Sequence, residues 1–223
     1  MTRRLLVVAM TILVVAIMSR PASATLVVPG GSVVPSTFAG VPGTLVATTG
    51  ASSFTSTLGA VDFSGTVTES VYQDAVTGFM DFVYQFHNNA SSGQAIEQMS
   101  DSSYLGFSTD VQIDTTAGFG PFTAGGAAPA SANRSASGAN VAWHFAGNDL
   151  APGATSAILL IKTNSPNFVA GNISFINSGS ATLTNAFAPA VSTTATTPEP
   201  ATLLLLGTGL VGLSGLIRKR KNH

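Results

Sequence analysis

The sequence predicts an all-β protein, an antiparallel β-sandwich of jelly-roll-like kind, with an N-terminal signal helix and a C-terminal transmembrane helix outside it. Three observations carry this. Short runs alternate apolar and polar residues with period two, the mark of half-buried strands. Clusters of Gly, Asn, Ser and Pro separate those runs. No long run of residues 25–197 has helical periodicity.

Taken in order, Val61, Phe63 and Val67 share one face of the first run. Met80, Phe82, Tyr84 and Phe86 share a face of the second, with Asp81, Gln85 and His87 opposite. Val111 and Ile113 alternate with Gln112 and Asp114, and Val141, Trp143 and Phe145 with Ala142 and His144. Residues 157–161 are continuously apolar and read as a central strand buried on both faces. Ile173 and Phe175 form another face, and Thr182, Leu183 and Thr184 a last short strand. Asn88-Asn89, Gly147-Asn148-Asp149, Pro152-Gly153 and Asn177-Ser178-Gly179 supply turns. Residues 94–99 read as a short helix or a loop, and 115–140 as irregular.

Cysteine is absent, which excludes thiolate nucleophiles, redox pairs and cysteine-ligated zinc. The net charge of −1 hides a segregation of charge. Arg3, Arg4 and Arg20 lie at one end and Arg218, Lys219, Arg220 and Lys221 at the other. Residues 25–197 hold nine acidic side chains against two basic ones, Arg134 and Lys162, a formal charge of −7. So acidic a body repels phosphate backbones, and nucleic acid is excluded as a partner. Solvation of the surface accounts for these acids.

The ends read as targeting segments. Arg3 and Arg4 precede an apolar run over residues 5–18, too short to span a bilayer comfortably. Ala22-Ser23-Ala24 then fits the small-x-small pattern cut by signal peptidase, with cleavage expected after Ala24. At the other end, Pro198-Glu199-Pro200 precedes an uncharged stretch over 201–217, and the four cations follow at once. A helix of that length reaches about 26 Å, close to the ~30 Å of a hydrocarbon core. The cations prefer the cytoplasmic side, so they anchor the topology with the acidic body outside. Pro198 and Pro200 hold the motif extended beside the membrane lipid, and Glu199 suits the positive end of the helix dipole. Gly207, Gly209, Gly212 and Gly215 let another membrane helix approach closely. The chain thus divides into a signal peptide (1–24), a β-sandwich domain (25–190), a Ser/Thr-rich linker (191–197) and a sorting tail (198–223).

A signal peptide, a Pro-Glu-Pro triplet, a glycine-containing apolar helix and a terminal Arg/Lys cluster, in that order, resemble the PEP-CTERM sorting substrates. That resemblance implies recognition by an exosortase, a membrane transpeptidase-like enzyme, with processing near Pro198, Glu199 and Pro200. It also implies association with exopolysaccharide and biofilm matrix. The text from Val71 to Pro189, with Trp143-His144-Phe145 and Asn172-Ile173-Ser174-Phe175, looks like other PEP-CTERM ectodomains.

No pattern for catalysis stands out in the body. Gly-x-Ser-x-Gly, His-Glu-x-x-His and phosphate-loop motifs are absent. His87 and His144 fall on polar strand faces and read as solvated. Asp110 and Asp114, four apart in a strand, share a face. Trp143, flanked at spacing two by Val141 and Phe145, reads as core rather than as a sugar-stacking ring. No Asp-x-Asp-x-Asp calcium loop occurs, and no cofactor is expected. The leading expectation is a non-enzymatic surface or matrix protein. The alternatives are a carbohydrate-binding module, prompted by the Asn/Thr-rich loops, and a secreted hydrolase, prompted by the acidic strands.

Overall fold

The computed structural model describes residues 25–56 and 63–191. The signal segment, Val61, and the tail therefore lie outside the described residues, as do both expected helices. Of the chain's two units, Met1–Val191 holds every described residue, and Ser192–His223 holds none. Among the described residues there are twelve strands: β1 (Ser32–Val33), β2 (Ser36–Thr37), β3 (Thr44–Thr55), β4 (Ser64–Gln73), β5 (Met80–Asn88), β6 (Gln98–Asp101), β7 (Thr109–Asp114), β8 (Ser131–Arg134), β9 (Val141–His144), β10 (Ile158–Thr163), β11 (Asn167–Asn177) and β12 (Gly179–Ala190). They form two six-stranded sheets, ordered β2-β7-β10-β5-β4-β3 and β1-β8-β9-β6-β11-β12. Every pairing is antiparallel except β2 with β7. The body is all-β, as its alternation predicts.

The alternating faces meet in one core. Val67 and Val71 of β4, Phe82 and Phe86 of β5, and Val111 of β7 face Met99 of β6, Trp143 of β9 and Phe175 of β11. Phe54 of the first sheet stacks on Phe175 of the second, with ring centroids 3.9 Å apart and planes 13° off parallel. Phe86 reaches the same ring at 5.0 Å and Phe145 at 5.5 Å. Gly65 makes room for this: a Cβ there would strike the Phe54 ring and the His87 carbonyl. Trp143 is fully buried, as core spacing implies. β10 is central and buried on both faces, and Ser178, at φ 51°, turns β11 into β12 with Asn177 opposite Gly179.

Two expectations are corrected. In the stretch read as a short helix or a loop (94–99), residues 98 and 99 open strand β6, held between β9 and β11, while 94–97 are loop, with Ile96 bridging Leu150. β8 lies inside the stretch read as irregular, because β9 and β1 supply its hydrogen-bond partners. The segment ahead of β8 covers part of the outer face of the first sheet: Phe119 and Phe122, with Phe38, close over Tyr72, Val83, Ile158 and Leu160. β3 was not legible at all. Its text is small and polar because it is an exposed edge strand with two register shifts.

Phe175 joins aromatic groups from both sheets, so Phe175→Ala is expected to cost about 3–5 kcal/mol, the range for deleting a buried large ring. Urea unfolding of the purified full-length chain checks this.

Candidate functional site

The inner faces carry chemistry that the charge count conceals. Glu69 and Asp101 are 1% and 0% exposed, inside the core rather than on the surface. That corrects the reading of the acids as solvated. Glu69 shares parity with Val67 and Val71 on β4, and Asp101 with Met99 on β6, so strand geometry turns both carboxylates inward. The Tyr84 and Tyr104 hydroxyls lie 2.8 Å apart, and both are in hydrogen-bond contact with Asp101 Oδ2, Tyr104 at 2.7 Å. Asp101 Oδ1 accepts the Ser102 N–H at 2.7 Å. Three oxygens in mutual contact need three protons to fill every edge, and two hydroxyls supply two. A proton on Asp101 completes the ring. In keeping with this, burial pushes the Asp101 carboxyl up to about 7. Glu69 is raised well above its ordinary range, by burial first and then by the Asp101 charge. Its Oε2 accepts the Phe187 N–H at 2.8 Å, tying edge strand β12 across to the first sheet.

A second cluster lies on the outer face of the first sheet. Register sets Lys162 opposite both Asp81 and Asp110. The Lys162 ammonium is 3.0 Å from Asp74 and 3.7 Å from Asp81. Burial raises the Asp81 carboxyl to about 7 against the pull of Lys162. Burial also acts on Asp74, but there the Thr77 and Val76 N–H groups and Lys162 outweigh it and hold the carboxyl far below its ordinary range. Asp110 and Asp114 do share a face, yet they are separately employed. Asp110 Oδ1 accepts the Thr25 N–H and its Oδ2 the Gln112 amide, whereas Asp114 Oδ1 binds the Thr116 and Ala117 N–H groups and the Thr116 hydroxyl.

The two histidines stand in opposite sheets, in β5 and β9. His87 Nδ1 lies 3.0 Å from the Thr155 hydroxyl. His144 is half-buried rather than freely solvated, and burial lowers its pKa. It lines a shallow cleft of about 330 Å³ with Glu97, Gln98, Asp149 and Ile176. No group of three or more His, Asp or Glu side chains among the described residues could hold a metal ion.

The tail residues Pro198, Glu199, Pro200, Arg218, Lys219, Arg220 and Lys221, and the cleavage-site residues Ala22 and Ala24, lie outside the described residues. Their spacing defines an exported protein with a membrane-sorting terminus. A family model of the PEP-CTERM protein-sorting motif matches residues 196–221, so the chain carries a PEP-CTERM sorting motif in its tail. The motif places it among exported proteins that an exosortase processes at the membrane for delivery to the cell surface. No curated protein and no solved structure matches the chain.

The raised carboxyls of Glu69, Asp81 and Asp101 mean that the folded body holds protons the unfolded chain releases. Asp81 and Asp101 are therefore expected to lower stability as pH rises from about 4 to about 7, by up to about 1.4 kcal/mol per pH unit each, and Glu69 adds a fall of the same sign. Asp101→Asn should flatten the fall without abolishing it, since Glu69 and Asp81 remain. Urea midpoints measured at pH 4, 5.5, 7 and 8 check both statements.

Proposed function

We propose that this chain is a non-catalytic surface or extracellular-matrix protein, associated with exopolysaccharide or biofilm and delivered by its tail. Signal peptidase removes residues 1–24, helix 201–217 holds the precursor in the inner membrane, and the exosortase acts at Pro198-Glu199-Pro200. Arg218, Lys219, Arg220 and Lys221 keep the terminus in the cytoplasm, and the body (25–190) faces outward on the linker (191–197). The PEP-CTERM motif over residues 196–221 is the observation that carries this reading. The body supports it: Asp74, Asp81, Asp101, Asp110 and Asp114 are all engaged in hydrogen bonds or ion pairs within the fold. We read the two sheets as a jelly-roll-like sandwich, because the chain crosses between them at β1–β2, β5–β6, β6–β7, β7–β8, β9–β10 and β10–β11.

One observation favours a second reading, a carbohydrate-binding module. The cleft at His144 sets the carboxylates of Glu97 and Asp149 and the Gln98 amide around a volume at the low end for small-ligand sites.

Replacing Pro198, Glu199 and Pro200 with alanine is expected to leave more than about nine-tenths of the chain as full-length precursor in the inner membrane. Fractionation and immunoblotting measure this, and release at the wild-type level would refute processing at the triplet.

A further inference from the structure

The first described residues of the body run along the edge of β7 away from β10, beside the stretch that β2 pairs. The Val27 N–H donates to the Thr109 carbonyl at 2.9 Å, the Val111 N–H donates to the Thr25 carbonyl at 3.1 Å, and Leu26 pairs with Asp110. The Thr109 hydroxyl donates to the Val27 carbonyl at 3.0 Å, and the Val27 side chain is fully buried in the core. This register leaves the Thr25 nitrogen no freedom. It sits 2.6 Å from Asp110 Oδ1.

The charges around that contact are unbalanced. Lys162 from β10, Asp81 from β5, Asp74 from the turn after β4 and Asp110 from β7 put three carboxylates around one ammonium. Lys162 is engaged by Asp74 and Asp81, whereas the recorded hydrogen-bond donors to Asp110 are neutral: the Thr25 N–H and the Gln112 amide at 3.1 Å. Arg134, the other basic residue of the body, donates to the carbonyls of Gly138, Tyr104 and Phe107. The outer face thus has room in its charge balance for one more cation, and that cation belongs at Asp110.

Thr25 is the residue that follows Ala22-Ser23-Ala24. We propose that cleavage between Ala24 and Thr25 creates an α-ammonium that docks on Asp110 as an ion pair and locks the first strand of the mature body onto β7. The step balances by hydrolysis. Water adds across the Ala24–Thr25 peptide bond, its oxygen goes to the new Ala24 carboxylate, and the Thr25 nitrogen leaves as an amine that takes up a proton at neutral pH. The peptide N–H to carboxylate contact of the precursor becomes an ion pair in the mature chain, with donor as well as acceptor ionised. Removing the leader then does more than free the body from the membrane: it tightens the seam that closes the sheet edge over Val27. The inference rests on the export reading above, with its cleavage after Ala24, and adds the destination of the new terminus.

The test uses the full chain exported from a bacterial host with its signal intact and purified in detergent. Mass spectrometry of the N-terminal peptide gives the first residue. The pH dependence of N-terminal acylation by an active ester gives the α-amine pKa. Thr25 is expected first, with a pKa at least one unit above the ~8 of a free α-amine. At pH 8 the wild-type amine is expected to acylate at least about fivefold more slowly than that of Asp110→Asn, provided the variant folds. The pKa in the unmutated chain stands without the variant. A chain still carrying residues 1–24 would overturn export by a cleaved signal, and the docking with it. A first residue other than Thr25 would overturn the assigned bond and the docking, leaving export intact. Thr25 first, but titrating near 8, would overturn the ion pair alone.

Discussion

No disulfide ties the two sheets together, because the chain has no cysteine. What holds them is the contact between their inner faces, centred on the Phe54, Phe86 and Phe175 rings. Everything else in the body depends on that contact. It sets how closely the sheets approach, and this in turn decides which polar groups are shut away from water. Phe54 comes from β3, an edge strand otherwise exposed along most of its length, so one ring anchors a strand with little apolar surface of its own. The same closeness lets Glu69 reach across from β4 to the Phe187 N–H and satisfy an edge donor of β12. A dry interior is the condition for the proton-sharing ring of Tyr84, Tyr104 and Asp101, since in water the carboxylate would simply ionise.

The body manages its charge by position. Inside, carboxyls hold protons. Outside, three aspartates gather round Lys162 on one sheet face. Arg134 stays cationic in a half-enclosed place by bonding to carbonyls, and so staples the Tyr104–Phe107 turn to the β8–β9 turn. With so few bases in the body, each cation has a structural assignment. This is why a new positive charge at Thr25 has a consequence out of proportion to its size.

Delivery and architecture are separable in this chain. The sorting motif occupies residues 196–221 and acts through the membrane, while the described fold ends at Val191. In sequence the tail is a Pro-Glu-Pro triplet, an uncharged stretch and a cationic end.

That is also the line between what was legible and what was not. The sorting motif and the strands with large alternating side chains could be read directly, because charge order and period two are local properties of the text. Met80, Phe82, Tyr84 and Phe86 entered the core as their spacing demands, and Asn177-Ser178-Gly179 made its hairpin. β3, β6 and β8 were not legible, since small polar residues become strands only when a neighbour supplies hydrogen bonds. The inward turn of Glu69 and Asp101 was present in the parity of their strands, but β6 itself was unrecognised and the acids of the body read as solvated. By itself the sequence determined export, sorting and an all-β body. Only the tertiary structure decided which carboxylates lose water and which meet a cation, because desolvation and ion pairing depend on what packs across the sheets, and residues distant in sequence supply it.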